Sequence, residues 1–154
     1  GIEQANKAAE YIFENFNIEY IYCSPLLRAR QTAKPLSKLF NLDITYTDNL
    51  IEWGGTNIWK GKTFEEFSKT EEYKLYLENP INLDTTEETY LEVYKRVKEI
   101  YLKSDNSVFI SHQDTIRPFT YYELKEESFN DNKPEHCAIH EIINNKIHIH
   151  TYLV

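Results

Sequence analysis

A chain of 154 residues is long enough to bury the core of one domain, and 41% hydrophobic and 14% aromatic residues exclude an intrinsically disordered chain. The formal net charge of -8 argues against nucleic acid or an anionic membrane as the main partner. No apolar run is long enough to span a membrane, and no signal peptide opens the sequence. Two cysteines do not make a disulfide framework, so we expect buried thiols in a reducing cytoplasm.

The first third of the chain predicts a helix, a strand and a second helix. Apolar residues recur at helical spacing from Ile2 to Phe16, which is typical of a helix that covers a sheet. The short apolar run from Ile18 to Tyr22 predicts a strand, and helical spacing returns from Leu26 to Phe40. At the start of this second helix, Ser24 suits the N-cap and Pro25 suits the first helical position.

The middle third predicts a short strand from Leu42 to Tyr46 and then a glycine-containing loop from Asp48 to Gly61. Thr63 and Glu66 have the spacing of a capping box, which predicts the start of a helix. A charged, tyrosine-rich helical region continues over residues 69–79 and is broken by Asn79-Pro80.

The last third predicts a helix, a buried parallel strand, another helix and a hairpin with an Asn-Asn turn. These elements cover Thr86 to Leu102, Val108 to Ser111, Thr115 to Leu124, and Ala138 to Ile143 with Lys146 to Val154. Helices alternating with apolar strands predict a single α/β domain over residues 1–154. We expect a three-layer α/β/α sandwich with a mostly parallel central sheet.

Arg28 and His112 are the first candidates for an anion-binding site. Each follows a predicted parallel strand, and ligands of open α/β sheets bind where the carboxyl ends of such strands meet helix N-termini. A guanidinium holds two oxygens of a phosphate or carboxylate at once and stays charged at every physiological pH. Arg117 lies close enough in sequence to His112 to reach the rim of the same site.

The segment from Ser24 to Ala33, Ser-Pro-Leu-Leu-Arg-Ala-Arg-Gln-Thr-Ala, resembles the signature that follows the second strand in the histidine phosphatase superfamily, the phosphoglycerate mutase-like proteins of branch 1. Four further stretches resemble the family in the same order: Gly1 to Ala5, Leu50 to Glu52 with Trp59 to Gly61, Glu88 to Val97, and Val108 to His112. The resemblance implies the α/β/α fold predicted above.

The resemblance also implies roles for three side chains. Arg28 and His112 would hold the transferred phosphoryl group, and Glu52 would be the general acid. Asp114 is the competing proton donor, because it lies close to His112 in sequence. Two small residues usually follow the second histidine in the family, whereas Gln113 and Asp114 follow it here.

The family's nucleophile is a histidine in an Arg-His-Gly segment at the end of the first strand, and no such segment occurs in this sequence. We expect it upstream of residue 1, so that the domain is N-terminally incomplete and the fragment alone is inactive. None of the five histidines present is assigned that role. Removing a central strand leaves unpaired backbone groups and an uncovered slot in the sheet, so we expect the strand to exist.

The activity implied is hydrolysis of a phosphomonoester through a phosphohistidine, without a cofactor or metal. Two alternatives remain: phosphoryl transfer of the phosphoglycerate mutase type, and a non-catalytic module that binds a phosphorylated metabolite or dimerises. The expected partner is a small phosphorylated substrate, and a homodimer is compatible with the sequence. His140, His148, His150 and Glu141 could form a zinc site across the hairpin, but alternation with isoleucine is typical of any half-buried hairpin, so no metal site is predicted.

Overall fold

A computed structural model describes residues 1–55, 60–78, 80–83, 87–125, 129 and 133–151. The described elements, in chain order, are α1 Ile2–Asn15, β1 Tyr20–Cys23, α2 Leu27–Phe40, β2 Ile44–Tyr46, α3 Phe64–Phe67, α4 Glu71–Glu78, α5 Tyr90–Tyr101, β3 Ser107–Ile110, α6 Gln113–Leu124, β4 Ile139–Ile143 and β5 Lys146–His150. Short 3₁₀ turns cover Asp48–Leu50 and Pro80–Asn82. Of the predicted elements, residues 56–59 of the loop, Asn79, Thr86 and residues 152–154 lie outside the described ranges.

The parallel sheet predicted from the sequence is confirmed. Strand β1 lies between β2 and β3, and both neighbours run parallel to it. Ile21 pairs with Ile44 on one side and with Val108 on the other. Strands β4 and β5 form a separate antiparallel hairpin. Asn144 and Asn145 make its turn with positive φ angles of 51° and 58°, as the Asn pair predicts.

Helices pack on both faces of this sheet, which gives the three layers. One face is covered by α1 and α2 through an apolar cluster of Ala9, Ile12, Ile21 and Leu36. The other face is covered by α5 and α6 through a larger cluster that includes Val93, Val97, Ile100 and Phe119. The alternation of Ile21 and Tyr22 between the two clusters follows from the two-residue period of a strand.

The parallel sheet and the hairpin are separate in the described ranges. In β4, Ile139 packs against the cluster on the α1 side and Ile142 packs against the cluster on the α5 side, so the hairpin lies between the same two layers of helices. Within the described ranges, β3 pairs only with β1, and β4 pairs only with β5. All four residues of β3 are half-buried rather than buried. One edge of β3 and one edge of β4 therefore have no strand partner among the described residues.

The start of α2 differs from the prediction. The helix begins at Leu27, its N-cap residue is Leu26, and no side chain caps it, so the assignments of Ser24 to the N-cap and Pro25 to the first helical position are wrong. Ser24 is still part of the sheet edge, because its backbone N–H donates to the carbonyl of Ile110 at 2.9 Å. The capping box of Thr63 and Glu66 is confirmed.

Candidate active site

Arg28, His112 and Glu52 converge at the carboxyl end of the parallel sheet. Strands β1 and β3 are neighbours, so the first turn of α2, which carries Arg28, lies beside His112, the N-cap residue of α6. Arg28 Nε donates to His112 Nδ1 at 3.1 Å. Glu52 Oε2 lies 3.8 Å from Arg28 Nη2 and 3.8 Å from His112 Nδ1. The three side chains therefore contact one another at the sheet edge and bring together one guanidinium, one imidazole and one carboxyl.

His112 is buried and neutral. Since Nδ1 accepts from Arg28, the proton lies on Nε2, which donates to the Ser24 hydroxyl at 2.8 Å. Burial and then the positive charges of Arg28 and Arg96 lower the pKa of His112 to about 4. Its 3.8 Å contact with Glu52 is therefore not an ion pair near pH 7.

Ser24 also belongs to the site, although the sequence predicted it only as the N-cap of the second helix. It is fully buried, it accepts from His112, and it also accepts from the N–H of Leu26 at 3.3 Å. The available signal was its position directly after a strand. Using that signal required knowing that this strand and the one before His112 are neighbours.

Glu52 is held by one carboxyl oxygen and presents the other to the site. Its Oε1 accepts from the N–H of Trp53 at 3.1 Å and lies 3.4 Å from the hydroxyl of Thr115, while Oε2 faces Arg28 and His112. Burial, followed by the negative charge of Asp114, raises the pKa of Glu52 to about 7. A carboxyl with this pKa is partly protonated at neutral pH and suits a proton donor.

A half-buried ion pair fixes the loop that carries Glu52. Arg96 donates twice to the Glu88 carboxylate, at 2.6 and 3.1 Å, and once to the carbonyl of Asn49 at 2.7 Å. The indole N–H of Trp53 donates to the carbonyl of Glu88 at 2.8 Å. These contacts tie the residues on both sides of Glu52 to helix α5, so the carboxyl is held in position by the scaffold.

Asp114 lines the same cavity as Glu52, and its carboxylate bonds an arginine and a tyrosine. Its Oδ1 accepts from Arg117 Nη1 at 3.1 Å and from the Tyr76 hydroxyl at 3.2 Å. Arg117 is buried, and its guanidinium stacks on the ring of Phe129 with 4.4 Å to the centroid. Of the two proposed donors, Glu52 is the one whose oxygen approaches Arg28 and His112.

One hairpin histidine, His150, bonds a carboxylate and a tyrosine. Glu141 pairs with His148 across the two strands, and the Glu141 carboxylate bonds His150 Nε2 at 2.9 Å. The other ring nitrogen of His150 bonds the Tyr11 hydroxyl at 2.9 Å. Among the residues that the structure describes, no group of three or more His, Cys, Asp or Glu side chains is arranged to hold a metal ion. Cys23 is buried, Cys137 is half-buried, and both are free thiols.

Substitution of Glu52 by glutamine is expected to stabilise the protein in alkaline solution. The folded-state pKa of about 7 lies above the ordinary value of 4.5, so the stability that Glu52 contributes is present below pH 4.5 and is lost as the pH rises through 7. Urea unfolding should therefore show a gain on the order of 2 kcal/mol for Glu52→Gln at pH 8 relative to pH 5.

The matched control is Glu65→Gln, because the side chain of Glu65 is 82% exposed. Its effect on the free energy of unfolding should be the same at both pH values within about 0.5 kcal/mol. Equal pH dependence in wild type and Glu52→Gln would contradict a buried, protonated carboxyl.

Comparison with known proteins shows which family the chain belongs to. The family model of the histidine phosphatase superfamily (branch 1) matches residues 1–146, and the chain belongs to this superfamily. It is similar to a 2,3-bisphosphoglycerate-dependent phosphoglycerate mutase of Thermoplasma acidophilum, with 30% identity over 126 residues. That match covers 81% of this chain but only 62% of the length of the mutase.

Solved structures share the fold. A phosphoserine phosphatase from Entamoeba histolytica, crystallised with 3-phosphoglyceric acid, aligns over 99% of this chain and 81% of its own, with a TM-score of 0.75 and 23% identity. An alpha-ribazole phosphatase from Shigella flexneri aligns over 98% of this chain and 80% of its own, with a TM-score of 0.71 and 18% identity. Within the described ranges, every helix is too short or too polar to cross a membrane.

Proposed function

We propose that the full-length protein hydrolyses a phosphomonoester through a phosphohistidine intermediate. The observation that carries this proposal is the convergence of Arg28, Glu52 and His112, with Glu52 Oε2 3.8 Å from each of the other two groups. The Arg28 side chain is 62% exposed, so its guanidinium is accessible to a phosphate from solvent. In this proposal Arg28 and His112 bind the phosphoryl oxygens, and Glu52 gives a proton to the leaving oxygen.

The nucleophile in this proposal is a histidine upstream of residue 1, carried by a strand that lies between β3 and β4. Two observations support this placement: both bordering strands have free edges within the described ranges, and a strand parallel to β3 would end at the same sheet edge as Arg28 and His112. A nitrogen at that edge would face the space where the phosphoryl group binds.

The proposed reaction has two displacements. The histidine nitrogen attacks phosphorus, the bond from phosphorus to the ester oxygen breaks, and Glu52 protonates the departing alkoxide. Water then attacks phosphorus, the bond from phosphorus to nitrogen breaks, and the Glu52 carboxylate takes the proton of that water. A bound phosphate brings negative charge against His112, which favours its protonated form and turns Nδ1 from an acceptor into a donor.

Phosphoryl transfer of the phosphoglycerate mutase type is the second candidate, because a mutase is 30% identical to this chain. The resemblance favours hydrolysis, since mutases of the family typically carry a longer insert than the interval from Gly61 to Thr86. A non-catalytic module that binds a phosphorylated metabolite is the third. We also propose a cytoplasmic location, supported by two free thiols, while a homodimer stays a prediction.

The test is to trap the intermediate on the full-length protein. After brief incubation with a labelled phosphomonoester and an alkaline quench, we expect an acid-labile phosphoryl group on a histidine upstream of residue 1, with release of inorganic phosphate. Label on His112 or on a histidine of the hairpin would contradict the assignment. Transfer of the label to a second metabolite without release of phosphate would favour the mutase.

A further inference from the structure

Two cavities meet at Asp114. One cavity, of about 300 Å³, lies beside Glu52 and is named the inner cavity for that position; it is lined by Glu52 and Asp114 together with Trp53, Gly54, Gly55 and Lys60. The outer cavity, of about 260 Å³, is lined by Asp114 with Arg117, Lys133, Tyr73 and Tyr76 among others. Because the inner cavity begins at the proposed proton donor, it is where the organic part of a substrate would lie.

Asp114 offers a fixed acceptor to that cavity. Its hydrogen bonds with Arg117 and with Tyr76 both use the same oxygen, Oδ1. Its other oxygen, Oδ2, has no hydrogen-bond partner among the described residues. The ring of Tyr76 is stacked on the rings of Trp53 and Tyr73, with centroids 6.3 and 6.1 Å away. The tyrosine that bonds the Asp114 carboxylate is therefore itself fixed by packing.

The charges around the inner cavity disfavour a second anion close to the ester oxygen. Glu52 and Asp114 both line it, and the negative charge of Asp114 reaches Glu52, whose pKa it helps to raise. The lining lysine, Lys60, forms an ion pair with Glu87 at 2.7 Å. The positive charge of Arg117 is already bonded to Asp114.

We infer that Asp114 is a specificity-determining residue that accepts a hydrogen bond from the organic part of the substrate. The substrate class is a phosphomonoester with a hydroxyl or ammonium group near the ester carbon, and the same carboxylate rejects esters with a carboxylate at that position. The inference rests on the proposed function for the place of the phosphoryl group. It gives a role to the residue that stands where the family resemblance has a small one.

The test compares the binding of two matched phosphonates, which cannot be hydrolysed, by calorimetry on the full-length protein. Aminopropylphosphonate places an ammonium group, and phosphonopropionate a carboxylate, at a similar distance from phosphorus. Wild type is expected to bind the ammonium compound at least about tenfold more tightly. Asp114→Asn, which keeps an oxygen for Arg117 and Tyr76, is expected to reduce this ratio about tenfold.

Asp43→Asn is the matched control, because Asp43 is exposed and lines neither cavity. It should leave the ratio of the two dissociation constants unchanged. Asp114→Ser replaces Asp114→Asn if the latter fails to fold. Preference of the wild type for the carboxylate compound, or an unchanged ratio in the Asp114 variant, would overturn the inference. Binding is measured without turnover, so absence of phosphatase activity would count only against the proposed function.

Discussion

Replacement of Arg28 by alanine is expected to lower kcat/KM for phosphomonoester hydrolysis by the full-length protein about a thousandfold. The guanidinium is a permanent positive charge in the candidate site, and it lies 3.1 Å from His112 and 3.8 Å from Glu52. Charge on the phosphoryl oxygens is spread over several atoms in the transition state, so a planar donor that bonds two of them stabilises it most. Arg28→Lys keeps the charge but loses the paired donors, and most of the loss should remain.

Arg30→Ala is the control for this prediction. Arg30 lies two residues further along the same helix, and its guanidinium stacks on the ring of Tyr46 at 5.1 Å to the centroid. Its removal should leave steady-state rates close to those of the wild type. Equal losses in the Arg28 and Arg30 variants would indicate damage to the helix, and retained activity in Arg28→Ala would count against the phosphate-binding role.

The meeting of Arg28 and His112 could be predicted because it depends on a general rule. Each residue follows a parallel strand, and the carboxyl ends of such strands meet at one edge whatever the side chains nearby. The position of Ser24 could not be predicted in the same way. A serine followed by proline before a helical pattern predicts a cap, yet the backbone of Ser24 bonds the carbonyl of Ile110 and keeps the residue in the sheet. That competing hydrogen bond depends on the order of the strands in the sheet, which the hydrophobic periodicity of the sequence does not reveal.

The position of Glu52 depends on contacts between segments distant in the sequence. Arg96 and Glu88 fix the loop from helix α5, and Thr115 of α6 contacts the carboxyl itself. The sequence placed Arg96 and Thr115 on helices correctly, whereas Glu88, predicted to be helical, lies before the start of α5 at Tyr90. Amphipathic spacing does not tell which side chain of a helix meets which loop. The raised pKa of Glu52 has the same origin, since its burial is produced by elements that come together only in the fold.

Glu52→Gln is expected to abolish hydrolysis of alkyl phosphates while sparing an activated ester. An alkoxide leaving group needs a proton as the bond to phosphorus breaks, so loss of a general acid should reduce kcat for glycerol phosphate about a thousandfold. Nitrophenolate is stable without a proton, and the rate with p-nitrophenyl phosphate should fall far less. Glu65→Gln, which changes an exposed carboxyl, should leave both rates close to those of the wild type.

The pH dependence distinguishes a general acid from a residue that only shapes the pocket. Because the protonated form is the active one, kcat/KM for glycerol phosphate in wild type should fall as the pH rises through about 7, the pKa of Glu52 without substrate. Asp114→Asn removes a negative charge that raises this pKa, so the falling limb should move to lower pH in that variant. In Glu52→Gln the rate should no longer decrease as the pH rises through 7. A falling limb that persists in Glu52→Gln would assign the proton to another group.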